Sequence, residues 1–406
     1  MSSAATAGKL AYVVGMLAIA SAGTVNMITE TVKEPQLWGV ESEATKPDFS
    51  LARVKSEEFQ KDATSWFDQH WGLRGVAIKT DNTINDSLFH ETRTGQPVRI
   101  LENGVLINPE DITYLNRTDG PEETIKAAKK FAVVQRRMRE KGKLLLPMIL
   151  PSKTSFIRDD VPPAWRREGA VGMTDQTVYG AFVDTLKQEN ALFVDGRAVL
   201  HGFGDGRFDV FPRTGRHWDT RAACFVLQHV TDKARKDVPR LGDAQVDCHT
   251  KNAPLPGLGD EEYDLFRLLN IWAPRPADVP VYVVDGKKGG EPFKVPTLFI
   301  GSSFLWKMVR LSRELEVYRP SLFYYYDRTV FETEHETIVG KVEPFTPKWR
   351  EETFSKDLYV MDVLETYLPV QGQDFLSELE KELDDPRSPI NAAKAEPTAP
   401  EEPKQP

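Results

Sequence analysis

Leu144–Leu150 reads LLLPMIL and is apolar at every position, so both faces of a strand built from it must be covered. That is the demand of a central parallel strand packed between helices, with Pro147 implying a bulge or an edge. Further short apolar runs recur along the chain: ALFVDG (Ala191 to Gly196), VPTLFIG (Val295 to Gly301), SLFYYY (Ser321 to Tyr326) and LYVMDVL (Leu358 to Leu364). Helical or loop-like segments separate them. The best marked opens at Asp119-Gly120-Pro121, repeats Ile125, Ala128, Phe131, Val134 and Met138 at helical spacing, and stops at Lys141-Gly142-Lys143. The layout is α/β. At 406 residues and 40% hydrophobic content the chain can bury a full core.

Charge excludes some functions. A net charge of -9, with Arg136, Arg137 and Arg139 as the one basic cluster, argues against nucleic acid as a partner. The seven histidines are scattered, and no H-x-x-x-H or C-x-x-C spacing gathers metal ligands, so neither metal nor cofactor is expected.

The two ends differ from the body. Leu10 to Ile28 carries no charge and as a helix would span about 28 Å, close to the hydrocarbon thickness of a bilayer. It reads as an anchor, or as a secretory signal ending in Ala20-Ser21-Ala22, and either reading exports the rest of the chain. In an oxidising compartment Cys224 and Cys248 can pair across a loop of roughly 25 residues, worth about 3 kcal/mol of chain entropy. Alternatively, Cys224 is a small buried hydrophobe. From Asp384 onward, Pro, Glu, Ala and Lys leave almost nothing to bury, and a disordered tail is expected.

The chemistry concentrates where a strand gives way to a helix. Ligands of open parallel sheets bind beyond the carboxyl ends of strands, and Gly301-Ser302-Ser303 separates one such end from a helix whose face is Leu305, Met308 or Val309, Ser312 and Leu315. A hydroxyl there lies near free helix N-H groups that favour an oxyanion, although a serine at that point also serves as an N-cap. A nucleophilic serine needs a base. His217 follows a Pro/Gly-containing loop in FPRTGRHW, and Asp219 or Thr220 would cap the next helix. His201 and His249 also lie in loops, and remain open.

Taken in order, these blocks resemble the alginate O-acetyltransferase family of AlgJ/AlgX type. WFDQHWGLRGVAIKTDNTIND around Arg74 is similar to the segment before the domain, VRILENGVLIN to a first hairpin, and LPMILPSKTSF to the strand and Pro-x-Lys turn. FPRTGRHW resembles the block supplying the base, DLFRLLN a later helix, and LFIGSSF the Gly-x-Ser-Phe or Gly-x-Ser-Tyr block. The resemblance implies a permuted SGNH hydrolase-like domain, a parallel sheet flanked by helices. The expected division is a signal or anchor at 1–30, a helical lead-in at 31–85, the acetyltransferase domain at 86–376 and the tail at 377–406.

The resemblance further implies that Ser303 is the nucleophile and His217 the general base, with Ser302 in a variable position. Acetyl would pass through an acetyl-serine to hydroxyls of an exported, alginate-like polysaccharide. The donor partner would be a multi-spanning membrane acyltransferase, and the location the periplasm, at the inner membrane. One departure matters: the family's aspartate two residues before the histidine is Gly215 here. Asp219, Asp209 or Asp205 then orients the imidazole, a backbone carbonyl does so, or the chain binds without catalysing. An esterase that releases acetate and a non-catalytic binding subunit are the competing functions. Lys153 is a candidate for an anionic sugar, Trp218 for stacking on a sugar ring, and Tyr326 for the member of its tyrosine run that faces the site.

Overall fold

The computed structural model describes residues 3–40, 44–92, 97–117, 120–167, 178–203, 210–242, 246, 248, 250–252, 261–272, 282–284, 295–316 and 318–391. The chain divides into two compact units, 1–108 with 257–278, and 109–256 with 279–406. The domain expected to start at 86 therefore gives up residues 86–108 and the excursion at 257–278. The helix Asp264–Leu268 lies against the strand Leu106–Ile107, Asn82 Nδ2 donates to Leu269 O at 2.8 Å, and the Asn270 amide brackets Trp38.

In the first unit α1 (Ser3–Thr29) is the one described helix long and apolar enough to cross a membrane, over Gly8–Thr29. Leu10, Tyr12, Val13, Val14, Met16 and Leu17 are exposed along it. Its last turns are built into the fold. A Cβ on Gly23 would lie 1.9 Å from the Trp71 ring, and Asn26 donates to Val32 O and Gly72 O. Helices α2 (Glu58–His70) and α3 (Arg74–Phe89) begin inside the stretch expected as a lead-in, 31–85, and cover less than half of it.

The second unit is built on a seven-stranded sheet. In chain order its strands are β1 (Leu144–Leu150), β2 (Val194–Asp195), β3 (Thr297–Gly301), β4 (Ser321–Tyr325), β5 (Thr329–Glu332), β6 (Thr337–Lys341) and β7 (Leu358–Leu364). The spatial order is β6-β5-β4-β3-β7-β1-β2. Strands β4, β3, β7, β1 and β2 form the expected parallel sheet flanked by helices, and β5 and β6 extend its edge antiparallel. Burial falls off along this edge: Val330 in β5 is buried, whereas Ile338 and Val339 in β6 are exposed. Strand β2 pairs only with Met148 and Ile149, so β1 is a local edge at Pro147 and its register with β7 continues unbroken.

Alternation along the strands splits the core in two. Leu144, Leu146, Phe299, Leu358 and Val360 pack with α6 (Thr220–Ala234) and α7 (Leu305–Glu314) on one face. Leu145, Ile149, Leu298, Tyr359 and Val363 pack with α4 (Glu122–Glu140), α5 (Val178–Gln188) and α8 (Gln373–Asp384) on the other. Helix α8 buries Phe375, Leu376, Leu379 and Leu383, and Ile390 is also buried, so the tail set at 377 is folded as far as 391. Residues 392–406, the rest of that expected tail, lie outside the described residues. Cys224 in α6 and Cys248 form a disulfide with a Cα separation of 5.8 Å.

Candidate active site

Strand β3 ends at Gly301 with φ +149, a backbone region that L side chains rarely adopt. The chain then turns through Ser302 and Ser303 into α7. Phe304 precedes α7 with helical backbone and no capping side chain of its own, and the capping bond to its N-H comes from the Ser302 hydroxyl, not from Ser303. Ser302 is buried. Its hydroxyl accepts from Phe304 N at 3.2 Å and donates to Asp362 Oδ2 at 2.5 Å, and its N-H donates to Asp362 Oδ1 at 2.8 Å. Ser303 is half-buried, and its Oγ lies 2.8 Å from Nε2 of His217, which is half-buried as well. Among the described residues the Ser303 N-H has no hydrogen-bond partner, which leaves it available to a developing oxyanion.

The His217 loop is held from below. Lys153, expected as an exposed sugar-binding residue, is 1% exposed. Its Nζ donates to Pro212 O at 2.6 Å, Gly215 O at 2.7 Å and Arg213 O at 3.1 Å. An ammonium with three rotatable donors serves three carbonyls of an irregular loop whose own backbone, among the described residues, pairs just one of them, Pro212 O, with Gly215 N at 3.3 Å. The lysine therefore fixes the base loop instead of meeting solvent or sugar. Arg216 bonds Asp111 at 3.0 Å and Glu110 at 3.3 Å, tying the residue before His217 to the short helix Pro109–Leu115. Burial raises the Asp111 pKa, with Arg216 pulling against it.

Two further expectations are corrected. Trp218 is 1% exposed and cannot stack on a sugar. Its indole donates to Phe304 O at 3.1 Å, which braces the His217 block against the Ser303 turn. Asp219 does not orient the imidazole. Its Oδ1 accepts from Ala222 N at 2.8 Å as the N-cap of α6, and its Oδ2 accepts from Arg221 Nε and Nη2 at 3.0 and 2.9 Å. With non-helical backbone and a side chain turned to the first helical turn, the residue is committed to starting the helix. Asp205, Asp209 and His249 lie outside the described residues. His201 ends a short helix and stacks on Phe156.

A cavity of about 830 Å³ opens at the carboxyl ends of β3, β4 and β7, with Glu110, Gly301, Tyr326, Arg328 and Tyr367 on its walls; Ser303 and His217 do not line it. Tyr326 is 42% exposed and lines this cavity, and its N-H donates to Gly301 O at 2.7 Å. Tyr324 is buried against Thr353 and Glu352. A larger depression of about 1040 Å³ opens around Lys143 and Phe354, before the amino ends of β1 and β7, and contains none of these groups.

Asp362 went unnoticed in the sequence. It sits in β7 with no exposed surface, at a position where the alternation calls for an apolar side chain on the α6 and α7 face. Gln371 Nε2 donates to its Oδ1 at 2.8 Å. Desolvation pushes its pKa up to about 6, while the bonds from Ser302 and Gln371 and the nearby His217 pull it down. One aspartate inside the seven-residue run LYVMDVL was the available signal, because a buried carboxylate is costly unless something holds it. Phe304 also escaped notice. Its ring packs on the imidazole with centroids 4.8 Å apart.

A serine on a strand-to-helix turn, a histidine in reach of its hydroxyl and a free N-H beside it form the working set of an acyl-transfer centre. Residues 111–315 match the family model described as SGNH hydrolase-like domain, acetyltransferase AlgX. No curated protein matches significantly. Among solved structures, the O-acetyltransferase domain of Pseudomonas putida AlgJ is 17% identical with a TM-score of 0.42, over 70% of this chain and 98% of that one. Pseudomonas aeruginosa AlgX is 12% identical with a TM-score of 0.42, over 70% and 67%. Bacillus cereus PatB1 is 8% identical with a TM-score of 0.43, over 67% and 97%. These overlaps are too loose to carry an argument, whereas the family match spans half of the sequence. The chain belongs to the AlgX-type family of SGNH hydrolase-like acetyltransferases.

Proposed function

We propose that the protein is an O-acetyltransferase that moves acetyl groups onto hydroxyls of an exported, alginate-like polysaccharide through an acetyl-serine. The observation that carries the reading is the 2.8 Å approach of Ser303 Oγ to His217 Nε2 at the carboxyl end of the sheet. Neutral His217 takes the Ser303 proton as Oγ attacks the acetyl carbonyl, and the donor's leaving group departs with that proton. In the second half a sugar hydroxyl gives its proton to the same nitrogen. The sugar oxygen forms the new ester bond, and Ser303 Oγ leaves and regains the proton. The Ser303 N-H supports both tetrahedral intermediates.

Outside the cytoplasm no acetyl-CoA is at hand, so a multi-spanning membrane acyltransferase is the proposed donor. We assign α1 as a retained anchor in the inner membrane with the second unit in the periplasm. The packing of Gly23 on Trp71 and the bonds of Asn26 make its last turns part of the folded unit, which supports retention over cleavage next to Ala22. Exposure to an activated acetyl ester, with and without an alginate oligosaccharide, tests the reading. Expected are a mass gain of one acetyl on the peptide containing Ser303 and acetylated oligosaccharide when the acceptor is present. Acetate release unaffected by the acceptor would mark an esterase, and absence of the acetyl-serine would leave a binding subunit.

A further inference from the structure

The nucleophile turn is held by a group that no family assignment names. Gly301, Ser302 and Asp362 form one interlocked unit. The carboxylate takes both the N-H and the hydroxyl of Ser302, and that hydroxyl also accepts the N-H of Phe304, the residue that opens α7. A Cβ on Gly301 would lie 1.7 Å from Asp362 Oδ1, so the glycine is the space into which the carboxylate fits. Gln371, whose Oε1 is in turn fixed by Leu364 N at 2.7 Å, holds the other side of Oδ1. Through Asp362 and the Ser302 hydroxyl these bonds reach the two residues flanking Ser303 and leave the Ser303 hydroxyl to His217.

We propose that Asp362 is a positioning residue for the nucleophile, acting through Ser302 to fix the turn that presents Ser303 Oγ to His217 and keeps the Ser303 N-H open for the oxyanion. The inference rests on the reading of Ser303 as nucleophile. Three features separate this role from ordinary core packing. First, the position lies in an apolar row where a valine or leucine would bury more favourably. Second, among the described residues its hydrogen bonds go to Ser302 and to Gln371 in the turn after β7, and none goes to the helices that cover its face of the sheet. Third, burial makes ionisation of this carboxyl unfavourable, so its charge is maintained at the expense of stability, the pattern of a group retained for activity. Ser302 is therefore more than a variable spacer. Its side chain transmits the geometry.

The test uses the full chain and the variants Asp362→Asn, Ser302→Ala and the double variant, with acetylation of Ser303 by an activated acetyl ester followed by intact mass. Each single variant is expected to slow acylation at saturating ester about 10- to 100-fold, with KM within twofold of wild type. The double variant should be no slower than the slower single, because the two side chains act as one unit. Asp362→Asn should keep or raise the Tm. Acylation of Asp362→Asn within twofold of wild type, losses that multiply in the double variant, or a loss that appears only with a collapsed Tm would overturn the inference. Failure of wild-type Ser303 to acetylate would instead remove the proposed function. The positioning claim is then decided by imidazole nitrogen NMR, which should show the His217 to Ser303 hydrogen bond in wild type and its loss in Asp362→Asn; an unchanged signal would overturn it.

Discussion

The two halves of the site solve the same problem with ions of opposite sign. The nucleophile turn runs into a helix start, where backbone N-H groups point outward unpaired, and its buried partner is a carboxylate, Asp362. The base loop, 212–217, turns its carbonyls inward without a strand to pair them, and its buried partner is an ammonium, Lys153. The sign of each ion follows from which backbone group is orphaned, so each half can be broken separately. The two match in reach. Asp362, on the strand beside β3, lies 60 positions after Ser302, and Lys153, in the turn after β1, lies 59 to 62 positions before the carbonyls it holds.

The largest effect should come from the reacting pair itself. Ser303→Ala and His217→Ala are each expected to lower acyl transfer by about 10⁴-fold or more, since nucleophile and base act as a unit. Their Tm values should stay close to wild type, because both side chains are half-buried and neither holds up the core. An assay of acetate release and sugar acetylation checks this. Transfer that survives His217→Ala would mean that another base serves Ser303.

Lys153→Met comes next and tests the cationic half. Methionine fills the volume but leaves three carbonyls without their donor, and a loss of about 4 kcal/mol in urea unfolding is expected, together with slower turnover from a displaced His217. Stability equal to wild type would show that the loop is held by Arg216 and Trp218 instead.

The anionic half predicts the reverse sign. Asp362 has its pKa pushed up from 3.8 to about 6, with desolvation as the leading cause. A carboxyl that ionises less readily when folded holds more protons in the native state across that window. Stability therefore falls as pH rises from about 4 to 6 and stays lower above it. Asp362→Asn removes this dependence. Its stability relative to wild type should climb from near zero at pH 4 to about 3 kcal/mol in its favour at pH 7, by conversion of the shift. Urea unfolding at both pH values measures it, and a gap that shrinks with rising pH would contradict the assigned cost of the buried charge.

What the sequence revealed tracks how local each signal is. The apolar runs at Leu144, Val295, Ser321 and Leu358 became the parallel strands because a strand buried on both faces must be apolar throughout. The Gly-Ser-Ser corner and the His-Trp block were legible because turn punctuation marks them. The hairpin at Thr329–Lys341 was missed because its apolar residues come as two adjacent pairs, Val330-Phe331 and Ile338-Val339, which form neither a long apolar run nor an alternation. Lys153 was misread for a different reason. Nothing in PSKTSF distinguishes a solvated lysine from one enclosed by a loop about sixty residues later, since burial of a charge depends on contacts distant in sequence. Asp362 was visible in LYVMDVL, but its meaning required the collision with a Cβ at Gly301.

Asp219 gives the smallest effect and the sharpest check on the division of labour. With Gly215 at the position of the family's aspartate, the nearest acid in sequence invites assignment as the orienting residue. Its bonds go instead to Ala222 N and Arg221. If those contacts define its role, Asp219→Ala removes an N-cap from α6, and the expected cost is about 1 kcal/mol in stability. The variant should retain acyl transfer within a few-fold of wild type, because His217 and Lys153 keep their partners. A fall of two orders of magnitude or more in turnover, with stability almost intact, would return Asp219 to the imidazole. It would also show that the N-cap geometry gives way during the reaction.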